Sequence, residues 1–396
     1  MIRLPLRLAF PDIVRGAAFT LALFPIVALI GSTAHGDELP IEYFPNKLIT
    51  EGGESQHVNI QYDPSYPDLV VESMPFEFDI MAEETGNNRW ADDLVDTVLD
   101  PASDDKLYVR FDASLLKLNL TGQTQWKLEL TREKDNTTAL YLSPRGTIAY
   151  LGMLTNEIHV IDPATGHITQ TFPNVCKSGC MAISLSDDEQ FLAVGDGSGR
   201  ISLLQPSTGV VLSAWQAHDY PIRFVKMLQE PQGNFLLSYD WFDLAVRNLD
   251  DQSEIRRFSD ITLHDRKNIW IETLDLIAGN SLAVIGSGLH AKVIDFRNGD
   301  VRRDFGPTLN TLLLLHVTED ETALVGFSRD HLLYRWDLDT QVLLGRGYAR
   351  TPLFSVFVAG SISRDGKRFA LASMDPVIAW PPQNFQHVRI YKTPGN

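Results

Sequence analysis

A short polar turn that returns every forty-odd residues constrains this chain more than any other feature. It appears as LNLTG ending at Gly122, DPATG at Gly166, QPSTG at Gly209, DDQ at Gln252, FRNG at Gly299, DLDTQ at Gln341 and YKTPG at Gly395. The spacings are 44, 43, 43, 47, 42 and 54 residues. Each copy holds the same order of short strands; in the second these are ALYLS, TIAYLGM, EIHVID and HITQTF, split by PRG and PATG. Four antiparallel strands cannot bury both faces of their sheet alone, but seven such sheets stacked about an axis can. That period and strand content predict an all-β fold, a seven-bladed β-propeller over residues 91–396. Glycine at the marker suits a hairpin turn with positive φ, so Gln252 and Gln341 in its place predict a longer or different turn.

Within the repeats, AHDYPIRFVKMLQEPQGNFLLSYDWFDLAVRNLD (residues 217–250) resembles a WD40 repeat, and LLYRWDLDTQ carries the Trp336-Asp337 dipeptide of that family. The second copy is similar to the YVTN-type repeats of bacterial surface and periplasmic propellers. The resemblance spans roughly residues 105–396 and implies a seven-bladed propeller of exported bacterial type. It also implies structural roles for Trp336 and Asp337, and matches His218 and Asp243 to a buried His and Asp of the WD40 network, with Ser238 as third member. Asn248 stands where that network has Trp, so the match is incomplete.

The last copy supplies three strands, VFVAGSIS, RFALAS and HVRIYKT, before Asn396. Its outer strand is expected from an N-terminal extension, residues 35–90, in which HVNIQYD, DLVVES and FEFDIM all read as strands. A strand borrowed this way would close the ring and cover two edges. The rival arrangement is an eighth blade built from residues 40–90, with ETG at Gly86 as its marker.

The first 34 residues place Arg3, Arg7 and Arg15 ahead of an apolar run from Gly16 to Gly31, then Ser32-Thr33-Ala34. This is the layout of a secretory signal peptide cleaved after Ala34, or of an uncleaved signal anchor, and it predicts a periplasmic or secreted protein. The formal charge of -17 becomes -19 once three arginines and Asp12 leave with the leader. Such a surface repels phosphate backbones and anionic lipid, so neither nucleic acid nor a membrane beyond the anchor is expected as partner. The two cysteines, Cys176 and Cys180 in NVCKSGCMA, are expected to form a local disulfide in an oxidising compartment; a Cu(I) site is the alternative.

No reactive constellation emerges. There is no Gly-Lys-Ser/Thr loop, His-Glu-x-x-His helix or Gly-x-Ser-x-Gly elbow, and GDGSGRI joins two strands instead of opening a helix. Acidic pairs such as Asp187-Asp188 fall where turns are expected. No catalytic residue, cofactor or metal is assigned. Two function classes follow: a non-catalytic scaffold binding a protein or peptide, or a periplasmic propeller enzyme or electron-transfer subunit resembling quinoprotein dehydrogenases, amine dehydrogenase heavy chains or lactonases. For the first, propeller geometry puts second-to-third-strand turns and inter-blade connections on one face. Tyr220, Trp241, Phe242, Trp380, Phe385 and the Cys176–Cys180 loop would gather there.

Overall fold

The computed structural model describes residues 46–49, 55–58, 66–79, 94–103, 105–111, 113–130, 136–230, 233–240, 242–251, 253–259, 271–277, 282–350, 356–377 and 383–395. The chain divides into two compact units, Met1–Tyr62 and Asp63–Asn396. In the first, Asn46–Ile49 pairs antiparallel with Ser55–Val58. The second is a seven-bladed β-propeller, each blade a four-stranded antiparallel sheet, with no helix among the described residues.

Blades 1 to 6 span residues 94–129, 137–172, 180–216, 224–259, 271–305 and 312–348. Blade 7 takes three strands from residues 356–392 and its outermost from Val71–Asp79. Burial is deepest in the second strand of each blade and least in the outermost. Second strands such as Ala149–Met153, Leu192–Asp196 and Ala323–Ser328 are buried throughout. Covered on both faces by neighbouring blades, they read as unbroken runs of small and apolar residues, AYLGM or ALVGFS, with no alternation. Outer strands such as Ile168–Phe172 keep one buried residue at the C-terminal end of an exposed run. The cores therefore lie between blades: Phe172, Ile183 and Val194 share one, Phe235, Ile285 and Phe296 another, and Leu107, Ala372 and Ile390 join blade 7 to blade 1.

Near the axis, first strands of adjacent blades are tied by side chains. Ser184 Oγ accepts from Met227 N at 3.2 Å, Thr273 Oγ1 from Leu315 N at 3.1 Å, Asp275 Oδ2 from Val317 N at 2.7 Å and Ser361 Oγ from Leu99 N at 3.0 Å. Polar residues on these innermost strands thus satisfy backbone groups that no fifth strand reaches.

The repeating marker is the turn between third and fourth strands. Gly122, Gly166, Gly209, Gly299 and Gly395 all have positive φ, from 71° to 87°. Gln341 departs from expectation: its φ is 62°, and its N–H donates to Asp337 O at 3.0 Å, as Gly166 N does to Asp162 O at 2.8 Å. The turn is conserved in shape, and Gln341 takes the left-handed conformation itself. The reason for glycine elsewhere is space as well as φ. A Cβ on Gly209 would lie 2.3 Å from the Phe172 ring, and one on Gly166 2.5 Å from Trp126, because the outer strands of blades 2 and 1 press an aromatic side chain onto the next blade's marker turn. At Gln341 the outer strand of blade 5 supplies a hydrogen bond, Asp304 N donating to Gln341 Oε1 at 3.2 Å. Gln252 lies outside the described residues.

A second recurrent turn joins first and second strands. Ser186, Thr318 and Ser363 each donate to the carboxylate two residues on, Asp188, Asp320 and Asp365, at 2.7 Å in every case, and each hydroxyl oxygen accepts a backbone N–H across the turn. The acidic pair at Asp187-Asp188 is therefore turn chemistry.

The ring closes through the extension. DLVVES and FEFDIM together supply the outer strand of blade 7, Val71–Asp79, running antiparallel to Gln383–Lys392 with Val71 opposite Tyr391 and Asp79 opposite Phe385. Just before it, Leu69 N donates to Tyr348 O at 2.8 Å, Leu69 is buried, and Arg350 pairs with Asp68. Arg368 holds Glu72 at 2.9 Å. Of HVNIQYD, His57 and Val58 belong to the two-stranded hairpin, and residues 59–63 lie outside the described residues. Among the described residues the four-stranded sheets number seven, so the eight-bladed alternative is set aside.

Candidate functional site

Strand direction places the second-to-third turns and the inter-blade connections at one end of every blade. Over blades 2 to 4 these loops knit into a continuous surface. Cys176 and Cys180 form a disulfide with Cα atoms 5.5 Å apart. The loop they bound is further held: Lys177 N donates to Asp196 Oδ2 at 3.0 Å, Gly179 N to Asn156 Oδ1 at 2.7 Å, and Ser178 O accepts from Gly197 N at 2.9 Å. From Asp196 the network passes on, since Asp196 O accepts from Ile222 N at 3.1 Å and Gly199 O accepts from both Ala217 N and His218 N at 3.0 Å. Gly199 must lack a side chain, because a Cβ there would sit 2.1 Å from His218 O.

His218 is fixed beneath this surface. Its Nε2 lies 2.9 Å from Ser238 Oγ, and its Nδ1 faces Asp240 Oδ2 at 3.6 Å. The carboxylate beside the histidine is thus Asp240 and not Asp243, which reaches outward to Arg257 at 3.4 Å. The displacement has a local cause: Asp240 opens the turn between two strands, accepting Phe242 N and Asp243 N at 2.7 Å, while Asp243 has already begun the next strand. A serine, a histidine and an aspartate together have the composition of a nucleophilic triad, but they expose only 1%, 3% and 1% of their surface. No substrate atom reaches Ser238 Oγ, so the trio serves as a buried clamp between blades 3 and 4.

Burial pushes the Asp240 carboxyl up, but His218 and the two turn amides outweigh it and hold it below the ordinary carboxylate value. A carboxylate with a lowered folded pKa stabilises above its unfolded value of about 3.9 and loses that contribution as pH falls through the folded one. Asp240→Asn is therefore expected to cost about 1–2 kcal/mol at pH 7. The gap from the parent should close below about pH 4 in urea melts taken across pH; a gap constant to pH 3 would refute an ionised Asp240.

Two of the five aromatic residues expected on this face meet there. Tyr220, from the connection into blade 4, and Phe242, from that blade's second-to-third turn, lie with ring centroids 4.8 Å apart. They expose 49% and 44% of their surface. Trp241 and Trp380 lie outside the described residues. Phe385 sits on Gln383–Lys392, opposite Asp375 in the longest hairpin of the ring, whose two strands have ten residues each. Trp336 is buried and stacks on Tyr334 with centroids 5.2 Å apart, and Asp337 accepts Thr340 N at 2.7 Å in the marker turn of blade 6. Sequence reasoning missed Asp240 and Asp196, whose only signal was an Asp ending an apolar second strand. Among the described residues no group of three or more His, Cys, Asp or Glu is placed to hold a metal ion. No protein-family model matches the chain, and no curated protein matches it either.

Proposed function

We propose that the chain is an exported propeller of WD40-like repeats that binds a protein or peptide on the face formed by its inter-blade and second-to-third-strand loops. The observation that carries this reading is the Tyr220–Phe242 pair, two large rings in contact and about half exposed on loops that hydrogen bonds hold rigid. Aromatic side chains left uncovered on a rigid base are the usual anchors of protein contacts, since little entropy remains to be lost when they are buried. Export is supported by the leader-like start and by the Cys176–Cys180 disulfide, a bond that persists in oxidising compartments.

Replacing both Tyr220 and Phe242 by Ala tests it. Substitutions at exposed sites usually move stability by no more than about 0.5 kcal/mol, so the melting temperature should stay within about 2 °C of the parent. A specific partner identified with the parent protein should then bind at least ~10-fold more weakly. Unchanged binding, or a large fall in melting temperature that makes the pair a packing element, would overturn the reading.

A further inference from the structure

In blades 3, 4 and 6 the second-to-third turn holds an aspartate, and in the first two both carboxylate oxygens are engaged. Asp196 Oδ1 accepts from Ser198 N, Ser198 Oγ and Arg200 N at 2.9, 2.7 and 3.0 Å, and its Oδ2 from Lys177 N. Asp240 Oδ1 accepts two turn amides while its Oδ2 faces His218. Blade 6 differs. Its second strand ends on Ser328, and the carboxyl group comes from Asp330, two residues on. Asp330 exposes only 8% of its surface, and among the described residues its Oδ2 has no hydrogen-bond partner.

The hydrogens available at Ser328 decide the state of that carboxyl. Ser328 Oγ lies against both Asp330 Oδ1 and Leu332 O, the second at 3.1 Å. A hydroxyl has one hydrogen to give. Were Asp330 ionised, two acceptors would compete for it and one contact would hold no proton. A proton on Oδ1 removes the shortage: it is donated to Ser328 Oγ, and the Ser328 hydrogen goes to Leu332 O. Burial agrees, for it outweighs the bonds from Ser328 and from the amides of Asp330 and Leu332 and pushes the carboxyl above its ordinary value. The neighbouring cations are turned elsewhere. Arg329 of the same turn is exposed, and the His331 ring packs on Phe327 with centroids 6.0 Å apart. On the third and outer strands, Arg335 donates to Gly366 O at 3.0 Å and Arg346 sits 3.7 Å over the Tyr66 ring. Across the blade 5 turn His290 holds Asp304 at 2.7 Å, and the connection 306–311 has no titratable side chain.

Tyr334 carries the effect to the surface. Its hydroxyl is bonded to Ser328 and accepts from Leu309 N at 3.1 Å, and burial keeps it neutral by pushing its pKa up. We propose that Asp330 is a carboxylic acid in the folded protein and that its proton latches the connection 306–311 onto blade 6. When that proton passes to solvent, the Ser328 hydrogen turns to Asp330, Leu332 O loses its donor and a charge is left buried beneath the loop. The turn relieves the charge by moving toward water. Ser328 then leaves Tyr334, and the seat of Leu309 loosens.

Thermal melts and hydrogen exchange between pH 4 and pH 8 test this on the parent, Asp330→Asn and Tyr334→Phe. The amide of Asn reproduces the neutral acid, donor and carbonyl alike, and does not ionise. A folded carboxyl raised above its unfolded value of about 3.9 contributes stability in full below that value and loses it as pH rises through the folded one. Asp330→Asn is therefore expected to gain on the parent by at least about 2 °C in melting temperature from pH 4 to pH 8, the opposite trend to Asp240→Asn. Over that range protection of the Leu309 amide, corrected for intrinsic exchange, should fall by ~10-fold or more in the parent, hold in Asp330→Asn and stay low throughout in Tyr334→Phe. A melting difference that is constant with pH, or moves the other way, would overturn the acid assignment and the latch with it. The expected melting trend, with Leu309 exchanging alike in parent and Asp330→Asn or still protected in Tyr334→Phe, would leave the acid standing and overturn the latch.

Discussion

A chain lacking residues 37–85 will not hold its ring closed. The loss removes the outer strand of blade 7, with six register pairs between Val71–Asp79 and Gln383–Lys392. It also removes Leu69 from the core shared by blades 6 and 7, and the carboxylates that pair with Arg350 and Arg368. Ladder hydrogen bonds contribute roughly 1 kcal/mol each net and a buried leucine about 2 kcal/mol. Even with the exposed ion pairs discounted, the deficit is at least about 5 kcal/mol, comparable with the whole stability of an ordinary domain. It falls on the one blade assembled from both ends of the propeller's chain, and it bares the edge of Gln383–Lys392 to other molecules. The expected result is aggregation, or a melting temperature lower by roughly 10 °C or more in scanning calorimetry. Deletion of residues 37–62 alone spares the closing strand and should leave that transition in place. A monomeric 37–85 deletion with an unchanged melt would reduce Val71–Asp79 to an ornament on a ring stable without it.

What could be read in the chain before its structure follows from which physical constraints are local. The marker turn is local: left-handed φ and an aspartate side chain folded onto its own turn leave a compositional trace, so seven copies and their period stood out. The need for a closing strand was also legible, because three strands cannot complete a blade of four. Its location was only narrowed, since DLVVES and FEFDIM look like two strands when Pro75 between them is taken as a break. In fact the strand runs through Pro75 with register shifts between Val71 and Ser73 and between Ser73 and Phe76. A proline missing its N–H is tolerated on the free edge of an outer strand. The carboxylate facing His218 was misplaced by three residues because Asp240 and Asp243 both border WF, and only the turn geometry tells which faces inward.

Gly209→Ala should destabilise the protein by about 3 kcal/mol, from a change of one methyl group at a surface turn. Two costs combine. The residue has φ of 71°, a conformation that costs an L-residue roughly 1–2 kcal/mol. The new Cβ would also lie 2.3 Å from the Phe172 ring of blade 2, and relieving such overpacking costs typically 1–3 kcal/mol. Gln341 already holds a left-handed backbone, with φ of 62°, and accepts from Asp304 N through its Oε1 at 3.2 Å. Gln341→Gly would relieve strain of about 1 kcal/mol. It would also lose the bond from Asp304 N, worth about as much, and loosen the unfolded chain. The net change is expected within about 1 kcal/mol of zero. Urea unfolding of both variants, read as midpoint shifts at constant slope, separates conformation from packing. A Gly209→Ala midpoint equal to the parent's would show that the ring of Phe172 yields freely. Equal losses at both positions would instead assign the marker's glycine preference to φ alone, and the blade-to-blade stacking of Trp126 on Gly166 and Phe172 on Gly209 would no longer explain why glycine holds those two sites while glutamine is accepted in blade 6.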